Sequence, residues 1–150
     1  MSRKILTAEE IYESSEVLAN DSEISFLGTI DEEGYPHIKA LMKAKNNSLE
    51  EIWMSTGTSS EKTKQLENNS KTCVYFVNFE KFAGLMLLGE TIPKRDSESR
   101  NLIWSEGDEQ YYPQGVEDPN YTVFHFTAKI GRYYFRRRWP TFKIPSKKKQ

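Results

Sequence analysis

"ISFLGTIDEEGYPHIKALMKAK", residues 24–45, contains two apolar runs on either side of a short acidic segment. Within the first run, Ile24, Phe26 and Ile30 recur at every second position, with Gly28 between them. Two residues is the period of a β-strand, in which successive side chains point to opposite faces. The first half of this stretch therefore predicts a strand.

The acidic segment "DEEG", residues 31–34, predicts a tight turn, because Gly34 tolerates the positive φ that such turns require. Pro36 follows at the start of the second run, where the N–H group that proline lacks is not needed. The side chains of this run face two ways: Ile38, Ala40 and Met42 on one side, and His37, Lys39, Leu41 and Lys43 on the other. Residues 24–45 therefore predict a β-hairpin.

The N-terminal segment, residues 1–22, predicts a helix. Thr7 followed by Glu10 has the spacing of a capping box, in which each side chain hydrogen-bonds the backbone N–H of the other residue. One face of this helix is expected to lie against the sheet and would hold Ile11, Val17 and Leu18.

Further apolar runs predict a mainly β fold with about six short antiparallel strands. After the hairpin, strands are expected at residues 52–55, 71–79, 84–94 and 122–137, the last being one strand or two strands bent at Gly131. Helices are expected at residues 60–68 and after Asp96, the second with an apolar side of Leu102, Ile103 and Trp104. Connections that contain helices favour a closed or split barrel with flanking helices over a sandwich.

The composition is that of one globular domain, residues 1–150, with little net charge. Of the 150 residues 13% are aromatic, which is enough for a single packed core. The formal net charge of -1 gives no bulk attraction for nucleic acid or an acidic membrane, so neither partner is expected. Cys73 is the only cysteine, which excludes an internal disulfide and favours a cytoplasmic location.

Basic residues are concentrated at the C-terminal end. Between Arg132 and Gln150 the sequence has eight basic residues and no acidic one. Residues 139–150 fit a solvated basic tail after a basic strand end. They also fit an edge that faces an anion, either a phosphate or an acidic partner. The sequence leaves both interpretations open.

A long loop is predicted at "YYPQGVEDPNY", residues 111–121. Tyr111 and Tyr112, together with Trp104, fit two roles: a roof over a ligand, or aromatic packing beneath the loop. The residues alone do not decide between these roles.

"IWMSTGTSSEKTKQLENN", residues 52–69, joins a strand to a helix through a loop rich in small hydroxyl side chains. Hydroxyl groups, a lysine ammonium and the unpaired N–H groups of a helix start all favour a bound phosphate, and Thr56 to Lys62 offer all three. The alternative is a plain loop in which Ser59 or Ser60 caps the helix and Lys62 is solvated.

The hairpin and this loop together resemble the pyridoxamine 5′-phosphate oxidase-like family of FMN-binding split barrels, in particular its general stress protein 26 branch. The matching segments are "DEEGYPHIKALMK", residues 31–43, and "TGTSSEKTKQLENN", residues 56–69. The residues that fall on the family's second motif are Thr56, Ser60, Lys62, Gln65 and Leu66. The resemblance covers roughly residues 8 to 135.

The resemblance implies a homodimer with two FMN sites at its interface. Thr56, Ser60 and Lys62 would hold the phosphate, and the backbone of residues 39–42 would run along the flavin. The implied cofactor-binding residues are Lys39, Ala40, Leu41, Met42, Trp53, Met54, Ser55, Thr56, Ser60, Glu61 and Lys62. Lys39 and Glu61 occupy positions where better-known oxidase members carry arginines, so the charge is kept at the first position and reversed at the second.

The implied function is FMN-dependent redox chemistry that passes two electrons between a donor such as NAD(P)H and a small acceptor. Two alternatives are a flavin-binding stress-response protein without turnover and a barrel that binds deazaflavin F420 or haem. No catalytic side chain is assigned, although His37 beside the flavin strand is a candidate proton donor. No metal site is expected, because His37 and His125 are far apart in the sequence and no cysteine cluster is present.

Overall fold

The computed structural model describes residues 5–46, 48–57 and 61–145, with the backbone alone at residues 43–46. The described strands are β1 (Ile24–Ile30), β2 (Pro36–Asn46), β3 (Glu51–Gly57), β4 (Lys71–Asn78), β5 (Ala83–Lys94), β6 (Tyr121–Tyr134) and β7 (Thr141–Lys143). The described α-helices are α1 (Ala8–Asp21), α2 (Glu61–Asn68) and α3 (Ser97–Ile103). None of these helices is long and apolar enough to cross a bilayer.

The strands pair antiparallel and form a barrel. Their order in the sheet is β3-β2-β1-β4-β5-β6-β7, and β3 also pairs with β6. Among the six longer strands, β3 and β6 lie at opposite edges of the sheet, so their pairing closes the barrel. This arrangement confirms the predicted mainly β fold, a split barrel with flanking helices.

The C-terminal part of the chain contains more structure than the sequence predicts. Tyr121–Tyr134 is one continuous strand, the first of the two alternatives. Thr141–Lys143 pairs with β6, although it lies within residues 139–150, which the sequence interprets as a solvated tail or an edge facing an anion and not as a strand. The pairing brings the ring of Phe142 over Gly131, where a Cβ would lie only 2.6 Å from the ring. Gly131 therefore permits β7 to dock, and it does not bend β6 into two strands.

The predicted hairpin is confirmed as β1 and β2. Gly34 has a φ of 89°, the positive value that the turn requires. Asp31 fixes the turn, because its Oδ1 accepts hydrogen bonds of 2.9 Å from the backbone N–H groups of Glu33 and Tyr35. Pro36 begins β2, where no N–H group is needed.

Only one face of the hairpin points into the barrel. Leu27 and Leu41 belong to the core. The positions between them in each strand form the outer face, which holds Ile24, Phe26, Ile30, Ile38, Ala40 and Met42. The rest of the barrel core includes Ile52, Met54, Phe76, Leu85, Phe124 and Phe126. The period of two locates the strands correctly, but the apolar set that reveals it faces outward.

The capping box at the start of α1 is confirmed. The Thr7 Oγ1 accepts the Glu10 N–H at 3.1 Å, and the Glu10 Oε1 accepts the Thr7 N–H at 3.1 Å. Leu18 is buried against the barrel, and Ile11 packs against the core. The prediction for Val17 is wrong, since Val17 is 58% exposed. The buried stripe passes instead through Ser15, Leu18 and Ala19, which lie three and four residues apart.

Helix α3 lies on the outer side of β3 and β6. Asp96 caps it as predicted, with its Oδ2 accepting the Ser99 N–H at 3.0 Å. Arg100 ties the helix to β6, because its Nη2 donates to the carbonyl oxygen of Tyr121 at 2.9 Å. Ile103 is buried as predicted, but Leu102 is exposed, so its placement on the apolar side is wrong.

The aromatic side chains near the long loop are packed together. Trp104 and Tyr112 both contact Tyr121, with ring centroids 5.1 and 4.8 Å away. Burial raises the pKa of Tyr121 to about 12, so its hydroxyl stays protonated. Tyr111 remains exposed. For Trp104 and Tyr112, the packing interpretation is therefore the correct one.

Candidate functional site

A lysine lies on the buried side of α2. The buried residues of this helix are Lys62, Thr63 and Leu66, which share one helical face. Leu66 belongs to the barrel core, and Lys62 is only 8% exposed. Lysine is rarely buried unless its charge is paired. The position of Lys62 therefore requires an explanation.

A side-chain contact with the hairpin fixes the position of α2. The buried hydroxyl of Thr29 in β1 donates to the Gln65 Oε1 at 2.5 Å. Leu66 follows in the core, so the Gln-Leu pair identified in the sequence fixes both the position and the rotation of the helix. With Gln65 and Leu66 fixed, the first turn must present Lys62 to the barrel side.

The Lys62 ammonium forms no ion pair with a carboxylate in the described part of the chain. Burial lowers its pKa, and the positive charge of Lys39 lowers that pKa further. Glu61, which is exposed, has a smaller opposing effect. Two positive charges with so little compensation favour an anion as the missing partner.

The hydroxyl residues of the predicted phosphate loop are described only in part. Thr56 is buried near the end of β3. Ser60, together with Thr58 and Ser59, lies outside the described residues, so the role of Ser60 stays a prediction. The described part of helix α2 is Glu61–Asn68, which lies within the predicted range of residues 60–68. The described donors at this end of β3 and α2, a hydroxyl and two ammonium groups, suit a phosphate.

The predicted β2 residues divide between two faces. Lys39 and Leu41 alternate with Ala40 and Met42, and Leu41 is in the barrel core. Ala40 and Met42 lie on the exposed outer face. Residues 39–42 pair with β1 along their whole length. This short segment therefore connects the positive charge near Lys62 with the apolar outer surface.

The predicted β3 residues also divide, and not all of them lie near Lys62. Met54 is fully buried in the barrel core, on the same side of the strand as Thr56. Trp53 belongs to the aromatic cluster on the outer side, where it stacks on His125 at 3.9 Å with an interplanar angle of 6°. Ser55 is half-buried on the Trp53 side. Thr56 is therefore the β3 side chain in this set that best fits a phosphate role.

Both histidines are paired with carboxylates. The His37 Nε2 lies 2.8 Å from the Asp31 Oδ2 in the hairpin turn. The His125 Nε2 lies 2.9 Å from the Glu51 Oε1 on the outer side of the barrel. The carboxylate partners orient both rings, and His37 faces the hairpin turn.

An exposed apolar surface, which the sequence analysis does not predict, crosses several strands. Its central row of cross-strand neighbours is Ile38, Gly28, Cys73, Leu88 and Ile130. Ile38 is 75% exposed, and Met42 beside this row is 69% exposed. A depression of about 600 Å³ lies over the row. The available signal is that the hairpin has apolar residues on both faces, such as Leu27 and Leu41 on one and Ile38 and Met42 on the other, as strands covered on both sides do.

Comparison with known proteins identifies the family. The sequence profile described as pyridoxamine 5′-phosphate oxidase matches residues 13–135. A crystal structure of a protein from Clostridium acetobutylicum, related to general stress protein 26 of Bacillus subtilis and of the pyridoxinephosphate oxidase family, is 43% identical. The match covers 93% of this chain and 97% of that chain, with a TM-score of 0.83. The chain belongs to the pyridoxamine 5′-phosphate oxidase family.

More distant structures of this kind share the fold. General stress protein 26 from Bacillus anthracis str. Sterne is 17% identical, with a TM-score of 0.73 over 93% of this chain and 100% of that chain. A heme binding protein from Mycobacterium smegmatis is 13% identical, with a TM-score of 0.73 over 95% of this chain and 60% of that chain. No curated protein matches the sequence. The fold of this chain is thus shared with a heme binding protein.

Replacing Lys62 by methionine should stabilise the protein when no anion is present. Lys62→Met keeps the length of the side chain and removes a buried charge, so we expect a higher urea midpoint at pH 7. In the folded state the Lys62 pKa lies below its ordinary value of 10.5, so the charged lysine costs the wild type its full loss of stability at every pH below the lowered pKa. This loss of stability should disappear as the pH rises to 10.5, because the lysine is then losing its proton in both the folded and the unfolded state.

The matched control is Lys64→Met, in the same helix at an exposed position, which should leave the midpoint unchanged. Added inorganic phosphate should stabilise the wild type and not Lys62→Met, because only a bound anion offsets the buried charge. An equal response to phosphate in both proteins would show that Lys62 does not contact the anion.

Proposed function

We propose that this protein binds FMN with its phosphate at Lys62 and works as an FMN-dependent oxidoreductase. The observation that supports this proposal is the buried side chain of Lys62, whose ammonium forms no ion pair with a described carboxylate and lies within the electrostatic influence of Lys39. Membership of the pyridoxamine 5′-phosphate oxidase family makes FMN the first cofactor to test.

The charges at the site suit a phosphate dianion. Lys62 and Lys39 together supply two positive charges, and the hydroxyl of Thr56 supplies a donor at the end of β3. Lysine provides a point charge without the fork of an arginine, so both lysines can serve the phosphate without a fixed planar geometry. The carboxylate of Glu61 is exposed, which allows it to remain in water.

The proposed phosphate site continues into an apolar surface that suits the flavin ring and a second subunit. Residues 39–42 run from the Lys62 side to the exposed side chain of Met42. Flavin sites combine an apolar slot with a few polar groups. The outer face of β1, β2, β4, β5 and β6 exposes large apolar side chains, including Ile38, Met42 and Leu88, and such clusters are typical of interaction surfaces. We place the interface of a homodimer there, with the cofactor at its edge.

The chain's own residues would bind and position the cofactor. When bound, FMN supplies two-electron transfer, which would link a donor such as NAD(P)H to a small oxidised acceptor. The second subunit would exclude water from the ring by covering the outer face of β2. A single cysteine and the proposed nicotinamide donor are both typical of a cytoplasmic protein.

FMN titration tests the proposal. Fluorescence quenching should show binding at micromolar affinity or better in the wild type. Lys62→Met should weaken it by about 1.5–3 kcal/mol, a 10- to 150-fold rise in Kd, because a charge-assisted bond to the phosphate is lost. Lys64→Met should bind like the wild type. Equal Kd values for Lys62→Met and the wild type would remove the phosphate role of Lys62.

The same preparation separates the alternatives. Oxidation of NAD(P)H with quinone or nitroaromatic acceptors, faster than with free FMN, would support the oxidoreductase. FMN binding without turnover would instead indicate a flavin-binding protein without catalysis. Failure to bind FMN, combined with a Soret band on haem addition or with binding of F420, would assign the barrel to a different cofactor.

A charge on the outer face should separate the proposed subunits. Ile38→Glu places a carboxylate at the centre of the apolar row and should convert the dimer to a monomer in sedimentation velocity, because unpaired charge at an interface is strongly unfavourable. FMN affinity should fall with it. Val17→Glu, at an exposed apolar position on α1, is the control and should leave the dimer intact. A wild type that sediments as a monomer would contradict the proposed interface.

A further inference from the structure

A second cavity lies at the other end of β6. Tyr121 begins β6 beside Gly57, near the start of the proposed phosphate loop, whereas Tyr133 is close to the far end of the strand. There the start of α1 and the connection between β6 and β7 enclose a cavity of about 590 Å³, a volume typical of sites for small molecules. Its apolar walls include Ile5, Leu6, Ile11, Tyr133, Phe135 and Pro140.

Three arginines line this apolar cavity. They are consecutive, Arg136 to Arg138, and none of the residues that line the cavity is acidic. Arg136 lies with its guanidinium 5.0 Å from the centre of the Phe135 ring. Arg137 and Arg138 form no ion pair with a carboxylate in the described ranges. Their guanidinium groups are therefore available to an anion from outside the described chain.

The backbone holds two of these arginines in an unfavourable conformation. Phe135 and Arg138 exchange backbone hydrogen bonds of 2.9 and 3.0 Å, which leaves Arg136 and Arg137 as the two central residues of a tight turn. Their φ values are 51° and 64°. Such turns favour Asn-Gly, because a side chain with a Cβ is strained at positive φ. Retained strain of this kind is common at ligand sites.

We propose that this cavity binds a small amphipathic carboxylate, with its apolar body against Leu6 and Phe135 and its carboxylate held by Arg137 and Arg138. Guanidinium groups bind carboxylates through paired hydrogen bonds, and the apolar walls select a ligand with a hydrocarbon or aromatic body. Of the two interpretations of the basic C-terminal end, this assigns the anion-facing role to the turn after β6. The proposal does not depend on FMN binding.

Octanoate and the neutral analogue 1-octanol test the proposal in the full-length protein. The chain has three tryptophans, so the indole N–H signals in a ¹H–¹⁵N spectrum report on separate places. Trp139 lines the cavity, whereas Trp53 and Trp104 belong to the aromatic cluster on the outer side of β3. Octanoate should move the Trp139 signal with a Kd of about 1 mM or tighter, and leave the other two unmoved. Octanol should bind about tenfold more weakly.

Variants of the arginines complete the test. The double variant Arg137→Gln/Arg138→Gln should lose the preference for octanoate over octanol, whereas Arg95→Gln, at an exposed arginine outside the cavity, should keep it. Equal affinities for octanoate and octanol in the wild type would overturn the proposal without any variant. So would an unmoved Trp139 signal. Binding to phosphatidylglycerol vesicles that octanoate does not compete away would also overturn it and would assign the arginines to a membrane surface.

Discussion

The buried charge of Lys62 is the constraint around which the candidate site is organised. A helix that packs on a barrel gains most from an apolar side chain at each inward position, and α2 has Leu66 at one of them. At another it carries Lys62, with Lys39 near enough to lower the Lys62 pKa further. The hydrogen bond from Thr29 to Gln65 prevents the helix from rotating this charge into water. An anionic ligand at this position would make the arrangement favourable.

The hairpin of β1 and β2 links the Lys62 site to the barrel core through one face and to the outer surface through the other. Its inner side chains, Leu27 and Leu41, belong to the core that positions β1 and β2. Its outer side chains, such as Ile38 and Met42, remain exposed on a surface that continues across β4, β5 and β6. A phosphate site and an apolar surface therefore share one strand. Ligand binding and association of subunits would thus act on the same element.

Helix caps and turns could be predicted from the sequence, whereas the face of each strand that is buried could not. The capping box of Thr7, the turn at Gly34 and the cap at Asp96 each depend on residues close in sequence, and each is confirmed. The orientation of the hairpin depends on tertiary packing, and a period of two cannot distinguish two apolar faces. Trp53 likewise pairs with His125, a residue distant in sequence. The docking of β7 depends on the contact between Phe142 and Gly131, which no local pattern reveals.

A comparison of the affinities for FMN and riboflavin tests whether the charge of Lys62 binds a phosphate. The two ligands share the flavin ring and the ribityl chain and differ only in the phosphate. We expect the wild type to bind FMN at least about tenfold more tightly than riboflavin, and Lys62→Met to lose most of this difference. Equal affinities for FMN and riboflavin in the wild type would contradict this expectation.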